Sequence, residues 1–143
     1  MTIHWCGTGL SAIPGLRRLI KAGHDVTVWN RTLDKAQDAV GDITKDIQVF
    51  DLDAVGATLE TDDVVVSMLP GDWHVPLALI AIDAGAHFVS SSYVAPEMRD
   101  LDNQARSKGV ALVNEIGLDP GIDHLMAHHL IETYRASDAL DKD

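Results

Sequence analysis

Four titratable residues, Glu115, Asp119, Asp123 and His124, crowd the stretch Val113–His124, which also holds Gly117, Pro120 and Gly121. The apolar run Val110–Val113 before them reads as a buried strand, and the glycines and proline then force a sharp turn. Core packing does not call for such a charged turn, whereas ligands in open parallel sheets sit at the carboxyl ends of strands. A carboxyl group held there can bind or move a proton. Asp119-Pro120 also has the form of a helix start, with Asp as N-cap and Pro in the first helical position. Capping and catalysis are compatible, because such a cap faces the cleft. Glu115 and Asp123 read as structural or solvent-facing.

Gly7-Thr8-Gly9-Leu10-Ser11-Ala12 forms a second centre. It follows an apolar strand and opens a helix, the context that a G-x-G-x-x-A dinucleotide loop requires. Gly7 permits the tight turn, Gly9 lets N–H groups approach a pyrophosphate, and Ala12 lets helix and strand pack closely. At the end of the second strand stand Asn30, Arg31 and Thr32, where NAD-preferring sites usually carry an acidic residue. Neutral Asn30 removes that charge, and Arg31 offers a planar donor fork to a 2′-phosphate. Thr32 can add a hydrogen bond while capping the next helix. NADP is the expected cofactor.

Ser67-Met68-Leu69-Pro70 and Ser90-Ser91-Ser92-Tyr93 end the fourth and fifth strands and are expected to line the nicotinamide cleft, with the Tyr93 phenol near substrate. Cys6 sits just before Gly7 and reads as a packing residue. His124 and His128 have a spacing that can bind metal, but the helix carrying them needs an apolar face, so no metal is expected.

The elements that must position these groups alternate regularly. Strands are expected over 2–6, 25–29, 47–51, 64–69, 87–91 and 110–114, separated by helical patterns. Ile13, Leu16, Leu19 and Ile20 recur at helical spacing, with Pro14 in the first turn and Gly23 after the last. A helix over 73–84 closes at Gly85, and another runs from Pro96 to Gly109 with Met98, Leu101 and Ala105 on one face. This is the pattern of an α/β fold, a doubly wound parallel sheet of Rossmann type.

The chain has 143 residues, 46% of them hydrophobic, which bounds it to one globular domain. Residues 1–136 are expected to form that domain, and 137–143 a frayed tail or the start of a connection. The formal charge of −11 argues against nucleic acid or an anionic membrane as partner. No run approaches the length of a membrane-spanning helix. A single cysteine fits a reducing cytoplasm.

With those segments placed, the chain resembles the saccharopine dehydrogenase family, in particular its NADP-dependent, L-glutamate-forming members. The likeness is carried by Gly7-Thr8-Gly9, Asn30-Arg31-Thr32-Leu33, Ser67–Pro70 with His74, Ser91–Val94 and above all Asn114–Leu125. The resemblance implies reductive condensation of L-glutamate with 2-aminoadipate 6-semialdehyde in lysine metabolism. It also implies that Gly7, Thr8, Gly9, Leu10 and Ser11 hold pyrophosphate, while Arg31 and Thr32, next to Asn30, take the 2′-phosphate. Asp51 and Leu52 would approach the adenine. Leu69, Ser91, Gly117, Leu118 and Asp119 would flank the nicotinamide, and Ser92 and Tyr93 would contact the amino acid. Asp119 and Tyr93 are the implied proton-handling pair. Family members are longer, with an inserted substrate-binding and dimerising domain, so the resemblance implies a homodimeric whole enzyme of which this is the cofactor part. Lysine 6-dehydrogenase and carboxynorspermidine dehydrogenase are rival activities on the same scaffold, and a nucleotide-sensing module without catalysis is a third reading.

Overall fold

The computed structural model describes residues 1–137. Six parallel strands form one sheet: β1 (Ile3–Cys6), β2 (Val26–Asn30), β3 (Ile47–Val49), β4 (Val64–Ser67), β5 (His87–Ser90) and β6 (Leu112–Val113). Their order is β3-β2-β1-β4-β5-β6, so the chain reverses its winding between β1 and β4. That switch opens a crevice at the carboxyl ends of these two strands. The expected α/β doubly wound sheet is present.

Strand periodicity divides the core. Ile3 and Trp5 of β1 face α1 (Ile13–Lys21) and α2 (Leu33–Val40), packing with Leu16, Ala36 and Val40. Cys6 points to the other face, against Val55 of α3 (Leu52–Thr58) and Leu77, Ala78 and Ala81 of α4 (His74–Ala84). Both faces of the central strands are covered, which is why Val64-Val65-Val66 reads as a continuous apolar run. Fully burying Leu16, Leu77, Ile82 and Phe88 contributes about 1.5–3 kcal/mol each.

Polar ties fix the sheet's other end. Asp63 accepts from Thr2 N at 2.6 Å and Glu60 N at 2.9 Å, and faces His4 Nε2 at 3.3 Å. Trp29 Nε1 donates to His4 Nδ1 at 3.2 Å. Burial alone would push Asp63 up, but these donors together hold it below the ordinary carboxylate value. On the surface, Arg17 grips both oxygens of Asp42 at 2.6 Å and so joins α1 to α2, drawing Asp42 down to about 2.

Several expected boundaries shift. The second strand keeps its expected length but shifts by one residue, and the other five are one to three residues shorter than their apolar runs. The helix expected from Pro96 to Gly109 is two, α5 (Pro96–Asp100) and α6 (Asp102–Lys108). Leu101 N turns back to Met98 O, a tighter bond than the α-helical one, which interrupts the ladder. Trp73 belongs to a 3-10 turn over Gly71–Trp73, and α4 proper starts at His74. Thr32 stands at the N-cap position of α2 but makes no side-chain cap bond.

Asp119-Pro120 does not begin a helix. The last helix, α7 (Ile122–Arg135), is preceded by Gly121, and the Asp119–Pro120 peptide is cis. Gly117 N bonds back to Pro120 O, while Ile122 N reaches Gly117 O and Asp123 N reaches Leu118 O, so the turn folds on itself first. Gly121, at φ +144°, makes this possible: a β-carbon there would collide with the carbonyl oxygens of Gly117 and Glu115. The tail expected over 137–143 lies outside the described residues except for Ser137.

Candidate active site

The loop after β1 is built around an approach that excludes side chains. Gly7 has φ +106°, and a β-carbon there would meet the Met68 carbonyl oxygen at 2.8 Å. Gly7 N donates to Trp29 O at 2.8 Å, tying the loop to the end of β2. Gly9 is different: a β-carbon there would meet nothing within 4 Å. Its openness leaves room for a ligand against the backbone.

The donors at that opening are unspent. Among the described residues, the N–H groups of Gly9, Leu10 and Ser11 have no acceptor, and Ala12 caps α1 without a side-chain bond. The Thr8 hydroxyl oxygen is buried and has no partner. Free N–H groups at a helix N-terminus together with an orphaned buried hydroxyl form a site for phosphate. These residues fit the pyrophosphate of a dinucleotide.

Asn30 ties this loop to the neighbouring turn. Its Oδ1 accepts from Thr8 N at 3.3 Å and its Nδ2 donates to Thr32 O at 2.8 Å. Both ends of the amide are therefore occupied in scaffolding. Arg31 and Thr32 are exposed beside it, and Arg31 has no ion-pair partner among the described residues. Asp51 accepts from Ala54 N at 2.9 Å as the N-cap of α3, and Leu52 packs against the core.

Beyond the switch point, a cleft of about 570 Å³ is lined by Trp5, Met68, Ser91, Gly117, Leu118 and Asp119. Gly117 lies so close to Ser91 that a β-carbon on it would meet the Ser91 β-carbon at 3.0 Å. Leu69 lies beneath, half-buried against the core. Ser92 and Tyr93 line a neighbouring cavity of about 540 Å³ with His74, Glu97 and Asn114. Ser91 and Ser92 point to opposite sides, as alternation along an extended segment requires.

Tyr93 and Asp119 join the two spaces. The phenol donates to Asp119 Oδ1 at 2.7 Å, and this bond, with the carboxylates of Asp123 and Glu115 nearby, raises the Tyr93 pKa. Glu115 and Asp123 serve the frame: Glu115 Oε1 accepts from Val94 N at 3.0 Å, and Asp123 Oδ1 from Gly121 N at 2.8 Å. Cys6 is fully buried, and desolvation pushes its thiol up to about 12, which suits packing. No group of three metal-ligating side chains occurs among the described residues.

A wider cavity of about 650 Å³ lies elsewhere, lined by Asp46, Glu60 and Asp63 with His4 and Trp29. Its acidic wall repels phosphate, so the carboxyl-end crevice is the better place for a dinucleotide. Sequence reasoning left three positioning groups without a role: the Met68 carbonyl, Asn114, whose Oδ1 accepts from Ser90 at 3.1 Å, and His74. Ser67 before a helix that starts on His74 is the signal that points to the last of these.

A family model described as the saccharopine dehydrogenase NADP-binding domain matches residues 3–113. Saccharopine dehydrogenase (NADP+, L-glutamate-forming) of Pyricularia oryzae is 38% identical over 135 residues, covering 92% of this chain and 30% of that protein. The Saccharomyces cerevisiae enzyme of the same name is 38% identical over 141 residues, covering 94% and 31%. The apo structure of that yeast saccharopine dehydrogenase superposes with a TM-score of 0.83 at 34% identity, over 94% of this chain and 32% of that one. The chain thus spans about a third of the length of the relatives it matches. With a phosphate cradle at the switch point and a family match across the sheet, the chain belongs to the saccharopine dehydrogenase family, in its NADP-binding domain.

Proposed function

We propose that this chain is the NADPH-holding domain of an L-glutamate-forming saccharopine dehydrogenase, which reduces the imine of L-glutamate and 2-aminoadipate 6-semialdehyde. The observation that carries the reading is a phosphate cradle with unspent donors on one side of the switch point and the Tyr93–Asp119 pair, at 2.7 Å, on the other. NADPH, when bound, supplies the hydride.

The chain's own residues then do the rest. Thr8, Gly9, Leu10 and Ser11 hold the pyrophosphate, and Arg31 with Thr32 grips the 2′-phosphate. Asp51 and Leu52 border the adenine. Leu69, Ser91, Gly117 and Leu118 wall the nicotinamide. Ser92 and Tyr93 face the amino acid. The Tyr93 phenol is protonated at neutral pH at its ordinary value of 10.0, and the bond to Asp119 raises it further, so it is a donor when substrate arrives. Asp119, as a carboxylate, favours the protonated form of an imine beside it, and protonation makes that carbon the better hydride acceptor.

The reading includes a reducing, cytoplasmic setting, supported by a single buried cysteine, Cys6. Among the described residues no helix is long and apolar enough to cross a membrane. A homodimeric whole enzyme is supported by the exposed Leu125, Met126, Leu130 and Ile131 of α7. The charge of −11 disfavours nucleic acid as partner.

The test has two arms. Calorimetric titration of the chain should show NADPH binding tighter than NADH; tighter NADH binding overturns the cofactor assignment. The enzyme carrying this domain should turn over saccharopine in preference to lysine or carboxynorspermidine, and the opposite preference reassigns the substrate.

A further inference from the structure

His74 is nine-tenths buried at the first turn of α4, and both its ring nitrogens are engaged. Nδ1 meets the Ser67 hydroxyl at 2.8 Å, and Nε2 meets the Ser92 hydroxyl at 2.8 Å. The ring packs edge-on against Phe88, with centroids 6.2 Å apart. Burial requires partners for both ring nitrogens, and here those partners lie at two different strand ends. The ring spans from the end of β4 to the segment after β5.

The segment it reaches is held on its other flank too. Ser92 O accepts from Glu115 N at 3.1 Å, and Val94 N donates to Glu115 Oε1 at 3.0 Å. Ser92 N donates to Ser90 Oγ at 3.3 Å, which in turn donates to Asn114. Tyr93 lies between Ser92 and Val94. It is 62% exposed, and its bond to Asp119 is the one fixing its phenol. An exposed tyrosine keeps one direction only if the backbone on both sides is fixed. Glu115 ties the backbone at both Ser92 O and Val94 N, and His74 anchors the Ser92 side chain to the end of β4.

We propose that His74 is a positioning residue, which clamps Ser67 to Ser92 and thereby holds the Tyr93 phenol on Asp119. The proposal rests on the reading of Tyr93–Asp119 as the proton-handling pair, but its test does not need turnover. His74 touches neither the phosphate cradle nor the nicotinamide cleft, so its loss should spare cofactor affinity while loosening the pair.

The chain holds two tyrosines, Tyr93 and Tyr134. In a Tyr134→Phe background, the carbon-13 signal of the phenol carbon reports Tyr93 alone. His74→Phe keeps a ring against Phe88 and deletes both bonds. The titration of Tyr93 should then fall toward the ordinary phenol value of 10.0, while the calorimetric affinity for NADPH stays at the wild-type level. His74→Gln, whose amide reaches the position of Nε2 and restores the Ser92 bond, should return the titration toward wild type. In the enzyme carrying this domain, His74→Phe should lower kcat by about 10²-fold, the scale of a small misplacement, with KM for NADPH unchanged. Should His74→Phe fail to fold, Ser92→Ala removes the same link from a half-buried site and is read in the Tyr93 titration alone, which involves no substrate. An unchanged Tyr93 titration in the folded variant overturns the clamp. Failure of the wild-type chain to bind NADPH would instead overturn the cofactor reading and leave the Tyr93 comparison intact.

Discussion

Tyr93 and Asp119 are separated by 26 residues of chain, yet the phenol of one donates to the carboxylate of the other at 2.7 Å. Nothing local links them. The pair exists because β5 delivers Tyr93 and the turn after β6 delivers Asp119 to the same end of the sheet. Since Asp119 does not cap α7, its stability role is small, and Asp119→Asn should melt within about 1 kcal/mol of wild type. In the enzyme carrying this domain, both Asp119→Asn and Tyr93→Phe should cost about 10²–10⁴-fold in turnover. Steady-state rates beside melting curves check this. Undiminished turnover would leave the pair a surface contact.

Two glycines of one loop should respond differently to the same change. Gly7→Ala forces a methyl group to within 2.8 Å of the Met68 carbonyl oxygen at φ +106°, and should destabilise the fold outright. Gly9→Ala meets no protein atom within 4 Å and should leave the melting temperature unchanged. Its methyl instead enters the space assigned to pyrophosphate, so NADPH affinity should drop sharply. Melting and calorimetry on both variants separate folding from binding. Wild-type affinity in folded Gly9→Ala would move the phosphate site elsewhere.

Arg31 is exposed and without an ion-pair partner among the described residues, so its removal should leave the fold untouched. Arg31→Ala should weaken NADPH by about 1.5–3 kcal/mol, the scale of a charge-assisted hydrogen bond. NADH binding should hardly change. Equal losses for both cofactors would place Arg31 on the shared part of the dinucleotide.

Acid should destabilise the domain in two stages. Burial depresses the His74 pKa, so below the ordinary imidazole value of 6.5 the unfolded chain takes up the proton first, and stability falls as pH drops from there. Asp63 is also held below its ordinary 3.8, so its contribution is complete above that value and is lost on further acidification. Melting temperatures should be flat above about pH 7, decline gently below 6.5 and fall further below about 3.8. His74→Phe should abolish the first stage. Persistence of that stage in the variant would assign it to another histidine.

The strand–helix alternation and the glycine turn after the first strand were legible because both follow from local rules. Buried strands read as β-branched runs, and Gly7 and Gly9 stand where a strand must turn into a helix. The segment Gly117–Gly121 was legible as a sharp turn and misleading in its exact shape. Asp119-Pro120 satisfies the local chemistry of a helix start, but the close approach of Gly121 to the carbonyls of Glu115 and Gly117 wins. The role of His74 was hidden for a related reason, since Ser67 and Ser92 become its neighbours only when β4 and β5 pair. Asn30 was read as a missing charge and turns out to be a brace between Thr8 and Thr32.

The reversal between β1 and β4 also divides the chain into two structural halves. On the proposed function, residues up to Leu52 supply the phosphate and adenine side, and residues from β4 onward supply the nicotinamide side. The ladder from Ile3–Val64 to Cys6–Ser67 is the seam between them. The connection across it passes through the exposed turn at Thr61-Asp62, where Asp62 sits at φ +68°. A backbone cut there severs no strand or helix. A dinucleotide lying across the seam would act as a staple between the two pieces, adding about 2.7 kcal/mol of association at a hundredfold excess over its dissociation constant. Cut at Thr61-Asp62, the two pieces are expected to reassemble more tightly with NADPH than without it, which a fragment-complementation assay checks.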